Sequence, residues 1–145
     1  MKILSSAFEN NSTIPSEYTC DGSDISPPLV ISDIPKETKT MAIIMDDPDA
    51  PMGVFTHWVV WNIPPDKTQF AKGERMSFPQ GKTSSGMKSY IGPCPPSGIH
   101  RYFFKIYALD IVLNLKEGSS KNDLEKAMAK HILAEAHLIG RYSRR

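Results

Sequence analysis

Two stretches of the chain concentrate the residue types that do chemistry. The first is Asp46-Asp47-Pro48-Asp49-Ala50-Pro51, followed closely by Thr56-His57-Trp58. Three carboxylates and an imidazole could ligate a divalent cation. They could equally hold the imidazole in one tautomer and raise its pKa. Any one aspartate is most simply an Asx turn, but prolines set among the acids imply a loop with a fixed shape. The second stretch is Gly92-Pro93-Cys94-Pro95-Pro96-Ser97-Gly98-Ile99-His100-Arg101-Tyr102. Prolines offer no backbone N–H, so that of Cys94 stands out as an anion donor if it points inward. A lone histidine is more often structural. His100 follows a stiff loop and shares a strand face with Tyr102, which favours a ligand contact. Two imidazoles brought to one point can donate to an anion, each better when protonated. A third segment, Cys20-Asp21-Gly22-Ser23-Asp24-Ile25-Ser26-Pro27-Pro28-Leu29, reads alone as a turn entering a strand.

The elements that must position these residues are mostly strands. Residues 29–34, 40–46 and 57–63 are β-rich runs bounded by proline. The run 40–46 is apolar on both parities, which predicts a central strand. Residues 100–109 carry the longest strand signal, with His100, Tyr102, Phe104 and Ile106 on one face. A helix is predicted after the capping serines Ser119 and Ser120, with Leu124, Ala127, Met128, Ile132 and Ala136 as its apolar stripe. His131 and His137 would then be solvated or half-buried helix positions, and Leu138 to Tyr142 a last strand. Trp58 and Trp61 read as core or pocket wall, and Arg141, Arg144 and Arg145 as a solvated tail. The glycine-, serine- and proline-rich stretch 80–98 reads as a long functional loop.

Composition narrows the class. A chain of 145 residues suggests one domain spanning 1–145. A domain of that size buries roughly 70% of its unfolded surface, enough for a core without staples. The net charge of +1 offers no electrostatic case for nucleic acid or an anionic membrane surface. Twelve prolines favour short strands joined by ordered loops over long helices. No apolar run has the length of a signal-peptide core or a membrane span, so the expectation is a cytoplasmic protein without stable membrane insertion. Asn10-Asn11-Ser12-Thr13 holds overlapping glycosylation sequons, read here as a polar turn. Cys20 and Cys94 are far apart and lack metal-type spacing. Two readings stay open for them: free, partly buried thiols, as in a mesophile's cytosol, or the disulfide that intracellular hyperthermophile proteins tolerate.

Taken together and in order, the three segments closely resemble the phosphatidylethanolamine-binding protein family, which includes Raf kinase inhibitor proteins. Asp47 to Pro51 and Gly92 to Tyr102 carry the resemblance. The Cys20–Leu29 segment, Phe104 to Asp110 and Gly140-Arg141-Tyr142 point to its bacterial and archaeal branch, and the likeness runs from about Ile3 to Tyr142. The resemblance implies a mainly β Greek-key sandwich with one C-terminal α-helix and a pocket at one end. It implies ligand contacts from Asp47, His57, Cys94, His100 and Tyr102, with Pro48, Asp49, Pro51, Pro95 and Pro96 shaping the pocket. It also brings the loops of Cys20 and Cys94 together at the rim. The ligand would be phosphate, acetate or a phosphoethanolamine-like head group, bound without catalysis, cofactor or metal. A homodimer is implied too, as is a protein partner such as a kinase or a serine protease. Lacking the extra C-terminal helix of animal members, the pocket should be more open. Serine-protease inhibition and an Asp/His hydrolase are the rival activities; the absence of a Gly-x-Ser-x-Gly motif counts against the second.

Overall fold

The computed structural model describes residues 1–144; Arg145, assigned above to a solvated tail, lies outside them. The elements are β1 (Lys2–Leu4), β2 (Ser12–Thr13), a 3₁₀ turn (Ser16–Tyr18), β3 (Leu29–Ser32), β4 (Thr40–Asp47), β5 (Phe55–Ile63), β6 (Gln69–Phe70), β7 (His100–Leu109), α1 (Lys121–Met128) and β8 (Ile132–Tyr142). They form a three-stranded sheet in the order β1-β3-β6 and a five-stranded sheet in the order β2-β8-β7-β4-β5. β4 and β5 make an antiparallel hairpin, and the chain then crosses to β6 before returning as β7 on the far side of β4. That over-and-back path is the Greek-key return of a sandwich.

The larger sheet is covered on both faces. On one side Met41, Ile43, Met45, Trp58, Val60, Phe104 and Ile106 pack against Ile3, Leu29 and Ile31 of the small sheet. On the other, Ala42, Ile44, Val59, Trp61, Tyr107 and Leu109 pack against Leu113, Leu124 and Met128. β4 lies between β5 and β7 with every residue buried. This is why its sequence is apolar at both parities. Trp58 and Trp61 are both core residues, one in each layer. β3 stops at Ser32, short of the predicted residue 34, because Asp33 turns left-handed at φ 54°.

The late helix is shorter than its spacing predicts. Ser120 and Asp123 form a reciprocal capping box at its start, but it ends at Met128. Lys130, at φ 72°, turns the chain out of it. Ile132 and Ala136 belong to β8 instead. A spacing of four fits both the helical and the strand period, so that pair of residues could not discriminate. The alternation at Ala136, Leu138, Gly140 and Tyr142, packed inward or half-inward, is the strand signal that wins. His131 therefore sits in the turn before β8, with Nδ1 2.9 Å from Asp110 Oδ1, and His137 is an exposed strand residue opposite Lys105. Among the described residues no helix is long and apolar enough to cross a membrane.

Candidate functional site

At the His100 end of β7 the ends of β4 and β5 meet the proline-rich loop before β7. Asp47, Phe55, His57, His100 and Tyr102 line a cavity there of about 190 Å³, walled by Ala50, Pro51, Ile91, Gly92, Cys94, Pro95 and Pro96. A wider groove of about 320 Å³ runs past Asp24, Trp58, Arg75 and Tyr90 but contains no histidine. The smaller cavity is therefore the chemical candidate.

Strand geometry decides which acids reach it. Asp46 and Asp47 are neighbours on β4 and point to opposite faces. Asp46 goes to the helix side, where its buried Oδ2 accepts from Lys105 Nζ at 3.1 Å and Lys121 Nζ at 3.0 Å. Asp47 goes to the cavity. Asp49 turns outward and takes Arg101 in a fork, 2.9 Å to both Nε and Nη2, with the Arg101 N–H on the same Oδ2. The guanidinium holds the Asp49 carboxyl down at about 2. The three acids thus diverge, and no group of three metal-ligating side chains assembles among the described residues.

His57 reaches the cavity through a β-bulge. Trp58 pairs with Met45 and Thr56 with Asp46, so His57 is an extra residue between two consecutive partners. Without the bulge, alternation would put His57 on the face of Val59 and Trp61. The bulge turns it to the face of Trp58 and Tyr102, a use of bulges seen beside functional sites. Phe55 pairs with Asp47 and shares its face. Its ring lies 4.7 Å from that of His57.

The two imidazoles are fixed in the same manner by different acceptors. His57 Nδ1 lies 2.7 Å from the carbonyl of Ile91, and His100 Nδ1 lies 2.7 Å from Asp47 Oδ2. Carbonyl and carboxylate oxygens only accept, so each Nδ1 carries a hydrogen. Each Nε2 is then left without a protein partner among the described residues. The expectation that a carboxylate would raise the histidine nearest the acids is corrected here. Asp47 serves His100, and burial pushes the pKa of His57 below 6.5 despite the Ile91 carbonyl and Asp47. Asp47 Oδ1 also accepts the N–H of Asp49 at 2.7 Å, so both its oxygens are engaged. Tyr102 lies edge-on to His57 with centroids 5.2 Å apart, and its phenol pKa is raised by burial and then by Asp47. Cys94 takes its place in the cavity wall beside Tyr102.

Cys20 and Cys94 are joined by a disulfide, with Cα atoms 5.4 Å apart, so of the two readings it is the bonded one that the structure holds. The bond pins the proline-rich wall to the Cys20–Asp24 turn. The Cys20 N–H to Pro93 carbonyl at 3.1 Å and the Gly92 N–H to Asp24 Oδ1 at 2.8 Å add to it. Pro51, Pro95 and Pro96 line the cavity, whereas Pro48 lies against Asp46 and His137 on the opposite face. Asp49 shapes the site from outside it, through Arg101. The Ile91 carbonyl was not legible in the sequence because a backbone acceptor leaves no side-chain signature.

A family model described as phosphatidylethanolamine-binding protein matches residues 4–143. The chain belongs to that family. Among curated relatives, a UPF0098 protein of Methanothermobacter thermautotrophicus is 52% identical over 99% of both chains. One of Pyrococcus horikoshii is 48% identical over 98% of this chain and 76% of its own. The solved structure of a phosphatidylethanolamine-binding protein homologue from Chlamydia trachomatis superposes with a TM-score of 0.97 at 42% identity, covering 99% of this chain and 97% of that one. E. coli YbcL superposes with a TM-score of 0.91 at 26% identity, covering 99% and 98%. As a phosphatidylethanolamine-binding protein family member of the bacterial and archaeal branch, the chain presents the His57/His100 cavity at the His100 end of β7.

Proposed function

We propose that the protein binds a small anionic or phosphorylated ligand, the size of phosphate or a phosphoethanolamine head group, in the His57/His100 cavity without transforming it. One observation carries this reading: both imidazoles spend Nδ1 on a fixed protein acceptor and keep Nε2 for the cavity. A proton on Nε2 makes each ring a charge-assisted donor at a place already shaped for an anion. The Asp47 charge is engaged within the protein, which limits its repulsion of that anion. The lining contains no serine or threonine, and its cysteine is disulfide-bonded, which supports binding over transfer through a hydroxyl or thiol nucleophile of the serine, threonine or cysteine kind.

A regulatory role through a partner protein is favoured by the rim. Met52 and Ile99, next in sequence to the lining residues Pro51 and His100, are 99% and 64% exposed. Exposed apolar side chains next to a cavity with two imidazoles suit a protein surface that carries an anionic group. A kinase or a serine protease is the class of partner, and assays of trypsin, chymotrypsin and elastase test the second.

Calorimetric titration with sulfate and phosphoethanolamine tests the ligand. His57→Ala and His100→Ala should each weaken binding by about 1.5–3 kcal/mol, the scale of a hydrogen bond to a charged group. Unchanged affinity in both variants would remove the histidines from the site.

A further inference from the structure

The helix side of the large sheet carries a cluster of cations of its own, on the face opposite the cavity. Asp46 precedes Asp47 on β4 and points the other way, and it is buried. Its Oδ2 accepts from both Lys105 Nζ at 3.1 Å and Lys121 Nζ at 3.0 Å. One lysine would neutralise that carboxylate. Two leave an excess positive charge where both side chains are largely covered, and an unmatched charge is costly away from water. Because both lysines hold the same oxygen, their ammonium groups stand close together. An ammonium has three N–H donors. Each of these gives one to Asp46, and neither has another hydrogen-bond acceptor among the described residues. Both lysines line a groove of about 230 Å³ with Pro48, Val54, Phe103 and His137, and Asp46 is the only acid of that lining. The nearby carboxylate of Asp49 is matched by Arg101, whose guanidinium lies 5.6 Å from the Phe103 ring. Lys121 also lines an adjoining groove of about 410 Å³, where Lys82 adds a further cation and no acid appears.

We propose that this groove is a second anion site, which takes the phosphoryl group of a phosphate ester between Lys105 and Lys121, with the ester's apolar body against Phe103 and Val54. A tetrahedral oxyanion between the two ammonium groups accepts charge-assisted hydrogen bonds from both. It neutralises the excess charge while Asp46 keeps its place. Phe103 makes the site selective for an ester. Its half-buried ring has Lys105 Nζ 5.9 Å from its centroid and the His137 ring edge-on at 6.2 Å, so an aromatic wall stands directly beside the lysines. Free phosphate meets the cations alone, whereas an ester also covers apolar surface. The site differs in chemistry from the cavity behind it. Ammonium donors are charged at neutral and mildly alkaline pH, whereas imidazoles donate best when protonated. Neighbouring aspartates on one strand thus organise cations on both faces of the sheet, Asp47 with His100 and Asp46 with the two lysines.

Amide NMR titrations at about pH 8, where a phosphate monoester is a dianion, locate the site directly. Inorganic phosphate and phenyl phosphate should each shift the amides of Phe103, Lys105, Lys121 and Asn122 saturably, with phenyl phosphate binding several-fold tighter. Lys105→Gln and Lys121→Gln should each weaken this binding about tenfold, the scale of one hydrogen bond to a charged group, and each variant leaves Asp46 one lysine. Asp46→Asn should act in the opposite direction and tighten it, because a charge that opposes the anion is gone. Lysines that served only to hold the fold would not give effects of opposite sign. Phe103→Leu should remove most of the advantage of phenyl phosphate and leave phosphate binding nearly unchanged. No saturable shift at these amides overturns the proposal, as do lysine variants that bind like wild type. Equal affinity for the two probes overturns the assignment to an ester. Should Asp46→Asn fail to fold, the two lysine variants decide. His57→Ala should leave these shifts intact, which separates this site from the cavity reading.

Discussion

The pH response of the site rests on His57. Burial lowers its pKa in the folded chain below the unperturbed value of 6.5. Between those two values the unfolded chain binds a proton that the folded chain refuses, so stability rises with pH across that window. The contribution is fully present above about pH 6.5 and is lost as pH falls toward the folded value. Denaturant unfolding at a series of pH values should show a shallower acid loss in His57→Gln than in wild type; parallel curves would mean that His57 is not the group. An anion reverses the preference, because it binds the protonated ring better. Affinity for sulfate should therefore be highest below the pKa of free His57. It should decline as pH rises through that value toward the higher pKa of the complex, and then level off. The carboxylate of Asp49 acts in a different range. Its stabilising pair with Arg101 is present above about pH 4 and is lost as pH falls toward about 2, so it does not confuse the histidine window.

At the scale of elements, the site is a meeting of two strand ends with one stiff loop. Gly92 shows how closely that loop is packed. A Cβ there would run into the Tyr18 carbonyl and Asp24 Oδ1, and would sit 3.0 Å from the Thr19 Cα. Two of these atoms are backbone and cannot swing aside. Gly92→Ala should cost about 1–3 kcal/mol, the range for overpacking. It should also weaken anion binding, because the adjacent Ile91 carbonyl holds His57. Thermal unfolding and calorimetry on one variant measure both effects. A stable variant with full affinity would show that the loop tolerates movement. The bulge at His57 works at the same scale: one unpaired residue transfers an imidazole from the helix-covered face to the cavity face.

Across the whole molecule, the Cys20–Cys94 disulfide links chain positions 74 residues apart. By loop-closure entropy a bridge of that span stabilises by about 4 kcal/mol. Reduction, or Cys20→Ala with Cys94→Ala, should lower the unfolding free energy by that order and loosen the proline-rich wall. Thermal melts with and without reductant measure it, and coincident melts would show that non-covalent contacts alone hold the loops together. Such a bond persists in an oxidising compartment or in a hyperthermophile's cytoplasm.

What the sequence determined by itself is what local pattern encodes. Proline-bounded β-rich runs marked β4, most of β5 and β7 closely, since alternation and propensity act over a few residues. The central position of β4 followed from its apolar character at both parities. The shared face of His100 and Tyr102 followed from a strand that is regular across those positions. The paired proline-rich motifs named the cavity residues by resemblance. The tertiary structure decided the rest. The face of His57 depends on a bulge that is visible only in its pairing with β4. The division of Asp46, Asp47 and Asp49 among two lysines, a histidine and an arginine depends on which strands become neighbours. The boundary between α1 and β8 depended on the pairing of Ile132–Tyr142 with β7, because a spacing of four residues satisfies both periods. Long-range pairing is set by how whole faces pack, and no window of the chain contains that information.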